Sequence, residues 1–329
     1  MQPLSRIPVV DFTGVRTGDP GALERAGREI HAACTQIGFF YLSNHGVPQA
    51  IIDRAEQAAR RFFAFPVETK RLAAVNARHR GFNALGDATM YQATRPDYKE
   101  FFSVGLELPE DDPDVVAGQA LRGPNNWPSF MPELQPALYD YYEAIGACGA
   151  DLLRAVASGL GLPPAFFASR YTKRMQRTQM VYYPPQPPLA DEAQFGVAPH
   201  TDYGCITLLW QDTIGGLQVR EIANGTWIDA PPMPGTFVVN VGDLLARWSN
   251  DRFRSTLHRV INRSGRERYS IATFYDPTYG AEVDPRELGA AGDTPRYAPV
   301  AAGDYILGRI NDSMGYRKKR VAEVSTPAP

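Results

Sequence analysis

Cysteine is scarce in this chain: Cys34, Cys148 and Cys205 are the three in 329 residues, far apart and each within an apolar run. An odd, sparse set of that kind excludes a disulfide framework and predicts buried thiols in a reducing, cytoplasmic setting. Charge of one sign is lacking too. The formal net charge is −2, and the single dense basic cluster, Arg317-Lys318-Lys319-Arg320, reads as a solvated helix end, so no nucleic acid is expected as a partner. No apolar span is long enough to cross a bilayer and no signal peptide is visible, so no membrane is expected either. There is no internal repeat. Low complexity is confined to the tail after Val321, which ends Ser325-Thr326-Pro327-Ala328-Pro329 and is expected to be mobile. With 44% hydrophobic and 21% charged residues, the chain has an ordinary globular composition and the length of one large domain or two small ones. Nothing in it bears on oligomeric state.

The first half is patterned for helices. Ile7 to Phe12 reads as a short strand, and Leu23, Ala26, Ile30, Ala33 and Ile37 recur at helical spacing. Gly38 to Leu42 gives a buried strand closed by Ser43-Asn44-His45-Gly46, where His45 helps close the turn. A second amphipathic helix through Ile51, Ile52, Ala55, Ala59 and Phe62 is stopped by Pro66. Residues 80–127 are irregular. A long helix from near Pro132 carries the apolar stripe Leu134, Leu138, Tyr141, Ile145, Cys148, Leu152 and Val156, and ends between Gly159 and Pro164. From Gln176 on, β-rich runs such as Met180 to Tyr183, Thr236 to Asn240 and Tyr269 to Phe274 alternate with Gly, Pro and Asn turns. The expected fold is mostly β with flanking helices around a double-stranded β-helix, or jelly-roll, core. Residues 1–170 form a helix and strand region packed on that core and not independent of it. Residues 171–280 form the core, and 281–329 a C-terminal helix and tail.

His200-Thr201-Asp202, the later His258, and Arg268-Tyr269-Ser270 carry the chemistry. Two imidazoles and one carboxylate suit a divalent iron centre that keeps open coordination positions. Residues two apart on a strand share a face, so His200 and Asp202 can grip one ion, with Cys205 to Trp210 read as the same strand. Arg268 and Ser270, also two apart, suit capture of a small carboxylate. Each piece alone has a plain structural reading: a common pair, a strand histidine, a solvated strand edge. Order and spacing together change that, through the linking blocks Gly215-Gly216-Leu217-Gln218-Val219, Trp227-Ile228 and Asn240-Val241-Gly242-Asp243.

In that order the blocks resemble the non-haem Fe(II)/2-oxoglutarate-dependent dioxygenase superfamily, in its isopenicillin N synthase-like branch. The helix-strand-helix opening resembles the same branch. The resemblance implies Fe(II) held by His200, Asp202 and His258, with 2-oxoglutarate and O2 taking the open positions. It implies decarboxylation of 2-oxoglutarate to succinate and oxidation of a C–H bond of a small-molecule substrate by hydroxylation, desaturation or cyclisation. Arg268 and Ser270 would meet the far carboxylate of the cosubstrate. Tyr183, in Tyr182-Tyr183-Pro184-Pro185, matches a tyrosine that completes this pocket in relatives, and is equally readable as a core aromatic. Val181 stands where plant members often carry Asn, a departure that bears on how the cosubstrate is held. Leu208, Val260 and Phe274 are expected as apolar walls, and Asp243 as a turn residue, not a ligand. The substrate candidates are Phe82, Tyr98, Phe101, Tyr275, Arg309 and Met314, each as readable as packing as contact.

Three other readings stay open. Iron oxidases of the isopenicillin N synthase or aminocyclopropane-carboxylate oxidase type resemble the chain and keep the Arg-x-Ser pair without using 2-oxoglutarate. A small-molecule binding module that has lost catalysis is disfavoured by the intact triad. A zinc hydrolase would lack a general base and leave Arg268 and Ser270 idle. The abundance of Ala, Arg and Pro suggests a GC-rich genome and points toward specialised metabolism.

Overall fold

The computed structural model of the chain describes residues 7–88, 95–186, 194–290 and 292–313. The strands of its two main sheets are, in chain order, β1 (Val9–Asp11), β2 (Phe39–Ser43), β3 (Gly81–Asn83), β4 (Glu100–Gly105), β5 (Arg177–Tyr183), β6 (Val197–His200), β7 (Ile206–Gln211), β8 (Leu217–Arg220), β9 (Trp227–Asp229), β10 (Thr236–Val241), β11 (His258–Val260) and β12 (Arg268–Tyr275). Eight form one sheet in the order β1-β2-β10-β7-β12-β5-β4-β3, and four form a second in the order β6-β11-β8-β9. Pairing is antiparallel throughout except between β1 and β2. Side chains of both sheets line one interior cavity, which is the jelly-roll core the sequence pattern predicts.

Strand parity decides what each face does. On β12, Arg268, Ser270, Ala272 and Phe274 line that cavity. The alternate residues Tyr269, Ile271 and Tyr275 are buried on the other face, where the helix Leu134–Gly159 packs. This helix buries Leu138, Tyr141, Ile145 and Leu152 completely; each such side chain contributes roughly 1.5–3 kcal/mol on leaving water. Helices Ala22–Gln36 and Gln49–Phe63 pack against it in turn. The three cysteines are buried and unpaired, and no described helix is long and apolar enough to cross a membrane.

The irregular reading of residues 80–127 misses β3 and β4, which extend the large sheet at one edge. β4 is buried along its whole length, so the apolar–polar alternation that marks a half-buried strand is absent. It even contains Glu100, whose charge is met by Lys70 at 2.5 Å. The basic cluster Arg317 to Arg320, the tail and Met314 lie outside the described residues.

Gly242, between β10 and the short helix Asp243–Trp248, packs against the loop that carries Asp202. Its amide donates to Cys205 O (2.9 Å), and the Asp243 amide donates to Asp202 O (2.7 Å). A Cβ at position 242 would stand 2.3 Å from Gly204 O. Gly242→Ala must therefore push the backbone beside Asp202, and we expect it to cost about 1–3 kcal/mol, read by urea unfolding, with weaker metal binding alongside.

Candidate active site

His200 ends β6 and His258 begins β11, and the two strands pair with these residues in register. Their imidazole centroids lie 4.2 Å apart. Asp202 is not on the same strand as His200, contrary to the spacing argument. β6 stops at His200, and the chain then crosses from the small sheet to the large one before β7 begins at Ile206. The carboxylate reaches the histidines from that crossing. Asp202 Oδ1 is 3.7 Å from His200 Nε2 and 3.8 Å from His258 Nε2.

Every other polar atom of the three side chains is occupied. His200 Nδ1 bonds Ala198 O (2.8 Å) and His258 Nδ1 bonds Thr256 O (3.1 Å). A backbone carbonyl accepts, so each Nδ1 carries a proton and each Nε2 is the ring nitrogen turned toward the centre. Asp202 Oδ2 accepts from the Thr207 hydroxyl (2.5 Å) and the Asn240 amide (2.7 Å), leaving Oδ1 for the centre. Burial, with the nearby His258 adding to it, holds the His200 imidazole neutral, its pKa well below the ordinary value. Burial alone would raise the Asp202 carboxyl; the two imidazoles and the bonds from Asn240 and Thr207 outweigh it and lower the pKa. Two imidazole nitrogens and one carboxylate oxygen thus converge within 4.8 Å of one another. They fit one divalent cation, and two nitrogens plus one carboxylate oxygen are the donor set of an open ferrous site.

Asn240 is a residue that sequence reasoning placed only in a linking block. Asn240→Ala removes one of the two bonds orienting the carboxylate, and outer-shell losses of this kind typically cost about 10–100-fold in metal affinity. We expect that drop in an Fe(II) titration, with the fold intact by circular dichroism.

Two cavities meet at the triad. The first, about 570 Å³, lies between the sheets and is lined by Arg268, Ser270, Tyr183, Leu209 and Val260. Arg268 is fully buried. Its Nε donates to Gly215 O (2.6 Å), one terminal nitrogen to Gln211 Oε1 (3.2 Å), and the other to Ser270 Oγ (3.4 Å). Its guanidinium carbon lies 4.6 Å from the Tyr183 ring centroid, across the β12–β5 register. Val260 and Phe274 line this cavity as expected, whereas Leu208 does not. The β7 residues that do are Thr207 and Leu209, because alternate positions point into the site.

The second cavity, about 560 Å³, is lined by Lys99, Phe101, Arg177, Tyr203, Phe274 and Ile306, besides His200 and Asp202. Of the substrate candidates, Phe101 lines it. Phe82 packs instead in the apolar cluster of Phe62, Phe102 and Leu138 on the opposite face. Tyr275 stacks on Tyr171 behind the sheet, as its odd position against Arg268 and Ser270 requires. Tyr98 is half-buried, its amide bonded to Phe195 O at 2.9 Å. Arg309, on helix Ala302–Ser313, pairs with Asp243 (3.0 Å), and its guanidinium carbon lies 4.9 Å from the Tyr203 ring centroid. Asp243 also accepts from Thr201 (3.1 Å) and Ser255 (2.7 Å), a structural role that ties the C-terminal helix to the Asp202 loop. Lys99 and Arg177 went unselected in the sequence.

Residues 7–130 match the model of the non-haem dioxygenase in morphine synthesis N-terminal family, and residues 174–277 match that of the 2OG-Fe(II) oxygenase superfamily. A 2-oxoglutarate-Fe(II) type oxidoreductase, hxnY, of Emericella nidulans is 36% identical over 96% of this chain and 93% of its own length. A homoarginine-6-hydroxylase of Glycine max is 31% identical over 93% of this chain and 96% of its own. A Neurospora crassa protein crystallised with alpha-KG and thymine superposes with a TM-score of 0.81 at 31% identity, covering 92% of this chain and 96% of that one.

Proposed function

The chain belongs to the 2OG-Fe(II) oxygenase superfamily, and from that premise we propose that His200, Asp202 and His258 hold its ferrous ion while Arg268, Ser270 and Tyr183 receive 2-oxoglutarate. The protein is an Fe(II)- and 2-oxoglutarate-dependent oxidoreductase that acts on a small molecule. One observation carries the assignment: both Nε2 atoms and Asp202 Oδ1 face one another while all their remaining polar atoms are engaged elsewhere.

Iron with 2-oxoglutarate supplies the oxidising power when bound, splitting O2, releasing CO2 and succinate, and oxidising a substrate C–H bond. The chain contributes position and dryness. The carbonyls of Ala198 and Thr256 hold the two Nδ1–H groups and so fix both rings with Nε2 turned toward the cation's position. Arg268, held by Gly215 and Gln211, offers its planar guanidinium to the distal carboxylate, and Ser270 adds a hydroxyl. Leu209, Val260 and Phe274 exclude water around the reacting groups. Hydroxylation is the outcome favoured by the likeness to a homoarginine hydroxylase. The composition supports a place in specialised metabolism, and the buried, unpaired thiols support a cytoplasmic setting.

Oxygen uptake and succinate release are measured together with Fe(II) and a panel of small molecules. We expect one succinate per O2, stimulated by the true substrate. Turnover with no succinate would instead assign the chain to the 2-oxoglutarate-independent iron oxidases.

A further inference from the structure

The two carbonyls that fix the imidazoles are weakly held by the sheet beside them. β6 is an edge strand of the small sheet. Its pairings with β11 join Val197 to Val260 and His200 to His258, so Ala198 and Pro199 together face Arg259 alone. A bulge of this kind interrupts the ladder, and Pro199 has no amide with which to restore it. Thr256 precedes β11, which begins at His258. A group that orients a metal ligand needs support of its own, and the small sheet supplies little of it at either carbonyl.

The N-terminal region supplies it at both. The Ala198 amide donates to Asp97 Oδ1 (3.0 Å). Asp97 is buried, with Lys99 Nζ 3.1 Å from its other carboxylate oxygen. The Asp97 amide donates to Ala88 O (3.0 Å) and the Tyr98 amide to Phe195 O (2.9 Å), which ties this segment to the chain just ahead of β6. On the other side, the Thr256 hydroxyl donates to Ile37 O (2.6 Å), and the Arg254 amide donates to Cys34 O (2.8 Å). Gly38 permits that close approach. Its φ is +72°, and a Cβ there would stand 1.9 Å from Arg254 O. Phe39, the next residue, makes a T-shaped contact with the His258 imidazole, centroids 5.3 Å apart.

We propose that the N-terminal region sets the aim of both metal-binding imidazoles, with Asp97 and Thr256 as positioning residues. Asp97 acts on His200 through the Ala198 peptide. Thr256 acts on His258 through its own carbonyl, which its hydroxyl anchors to Ile37. The proposal rests on the reading that His200, Asp202 and His258 hold the ferrous ion. It makes the affinity of that centre depend on contacts more than 100 residues away in the chain, since Asp97 and Ala198 are 101 apart and Ile37 and Thr256 are 219 apart.

Anaerobic calorimetric titration of Fe(II) alone into full-length variants tests this, with urea unfolding of the metal-free chain measured beside it. Thr256→Val should weaken Fe(II) binding by about 3- to 10-fold, less than the roughly 10–100-fold typical of a group bonded to the ligand itself. Thr256→Ser keeps the hydroxyl and should stay within about twofold of wild type. Asp97 is removed together with Lys99, as Asp97→Ala with Lys99→Met, so that no buried charge is left without its partner. This double variant should also lose about 3- to 10-fold in Fe(II) affinity. Thr178→Val is the control for a purely structural loss. Thr178 shares a buried hydroxyl bond with Thr273 (2.9 Å), at positions that alternate with the cavity-lining Gln179 and Ala272. It should lower the urea midpoint and leave Fe(II) affinity within about twofold of wild type. Wild-type Fe(II) affinity in Thr256→Val or in the double variant would overturn the proposal, as would an equal loss in Thr178→Val or in Thr256→Ser. Should the double variant not fold, the Thr256 pair decides. Failure of the wild-type chain to take up Fe(II) would be a failure of the metal reading itself, and is seen before any variant is compared.

Discussion

Asp202→Ala should abolish succinate formation and cut Fe(II) affinity by more than the roughly 100-fold that bounds a typical outer-shell loss. The carboxylate is the one anionic donor of the three, and its Oδ1 is the atom nearest both imidazole Nε2 atoms. Removing it also strips Asn240 and Thr207 of their shared acceptor, leaving buried donors unpaired at about 1–3 kcal/mol each. An unfolding curve is therefore needed beside the activity. Asp202→Asn separates the two effects. It keeps the shape and a carbonyl acceptor but loses the charge, so we expect stability close to wild type with turnover still lost. A protein that merely bound small molecules would keep its ligand affinity in both variants.

The second large effect is expected at Arg268. Arg268→Leu removes the buried cation that we propose receives the 2-oxoglutarate dianion, an expected loss of about 2–5 kcal/mol, and so a rise in the KM for 2-oxoglutarate of roughly 30-fold to several thousand-fold. Because Gly215, Gln211 and Ser270 hold the guanidinium from three sides, a flexible ammonium cannot reproduce its planar fork. Arg268→Lys should thus recover only part of the loss. Ser270→Ala deletes one hydroxyl and should raise the same KM by a smaller factor, about 0.5–1.5 kcal/mol in free energy. Initial rates against 2-oxoglutarate at fixed Fe(II) give all three values. A rise confined to KM would mean that Arg268 binds ground and transition states alike.

Much of this site was legible because strands alternate. Once Arg268 and Ser270 are assigned to the cavity, parity alone sends Tyr275 to the back of the sheet, where it stacks on Tyr171. The same count from Tyr183 backward along β5 reaches Gln179 and Arg177, both of which line the second cavity. That signal was present in the sequence and unused. Parity likewise exchanges Leu208 for Leu209 on β7. Other features had no local signal. The jump from β6 to β7 is set by tertiary pairing, and His-x-Asp looks the same on one strand or across a sheet crossing. β4 is buried on both faces, so it shows no period, and neither its charged Glu100 nor Lys99 just before it signals burial in the sequence. Lys99 became visible as a cavity residue only when Asp97 and Phe101 were placed around it.

Anaerobic calorimetric titration of Fe(II), followed by 2-oxoglutarate, tests the metal centre most directly. The geometry predicts one ferrous ion per chain, and tight 2-oxoglutarate binding only after the ion is in place. Each of His200→Ala, Asp202→Ala and His258→Ala should remove the ion's signal. Fe(II) uptake that survives all three substitutions, or none in the wild-type chain, would contradict the assignment of these side chains as the metal's ligands.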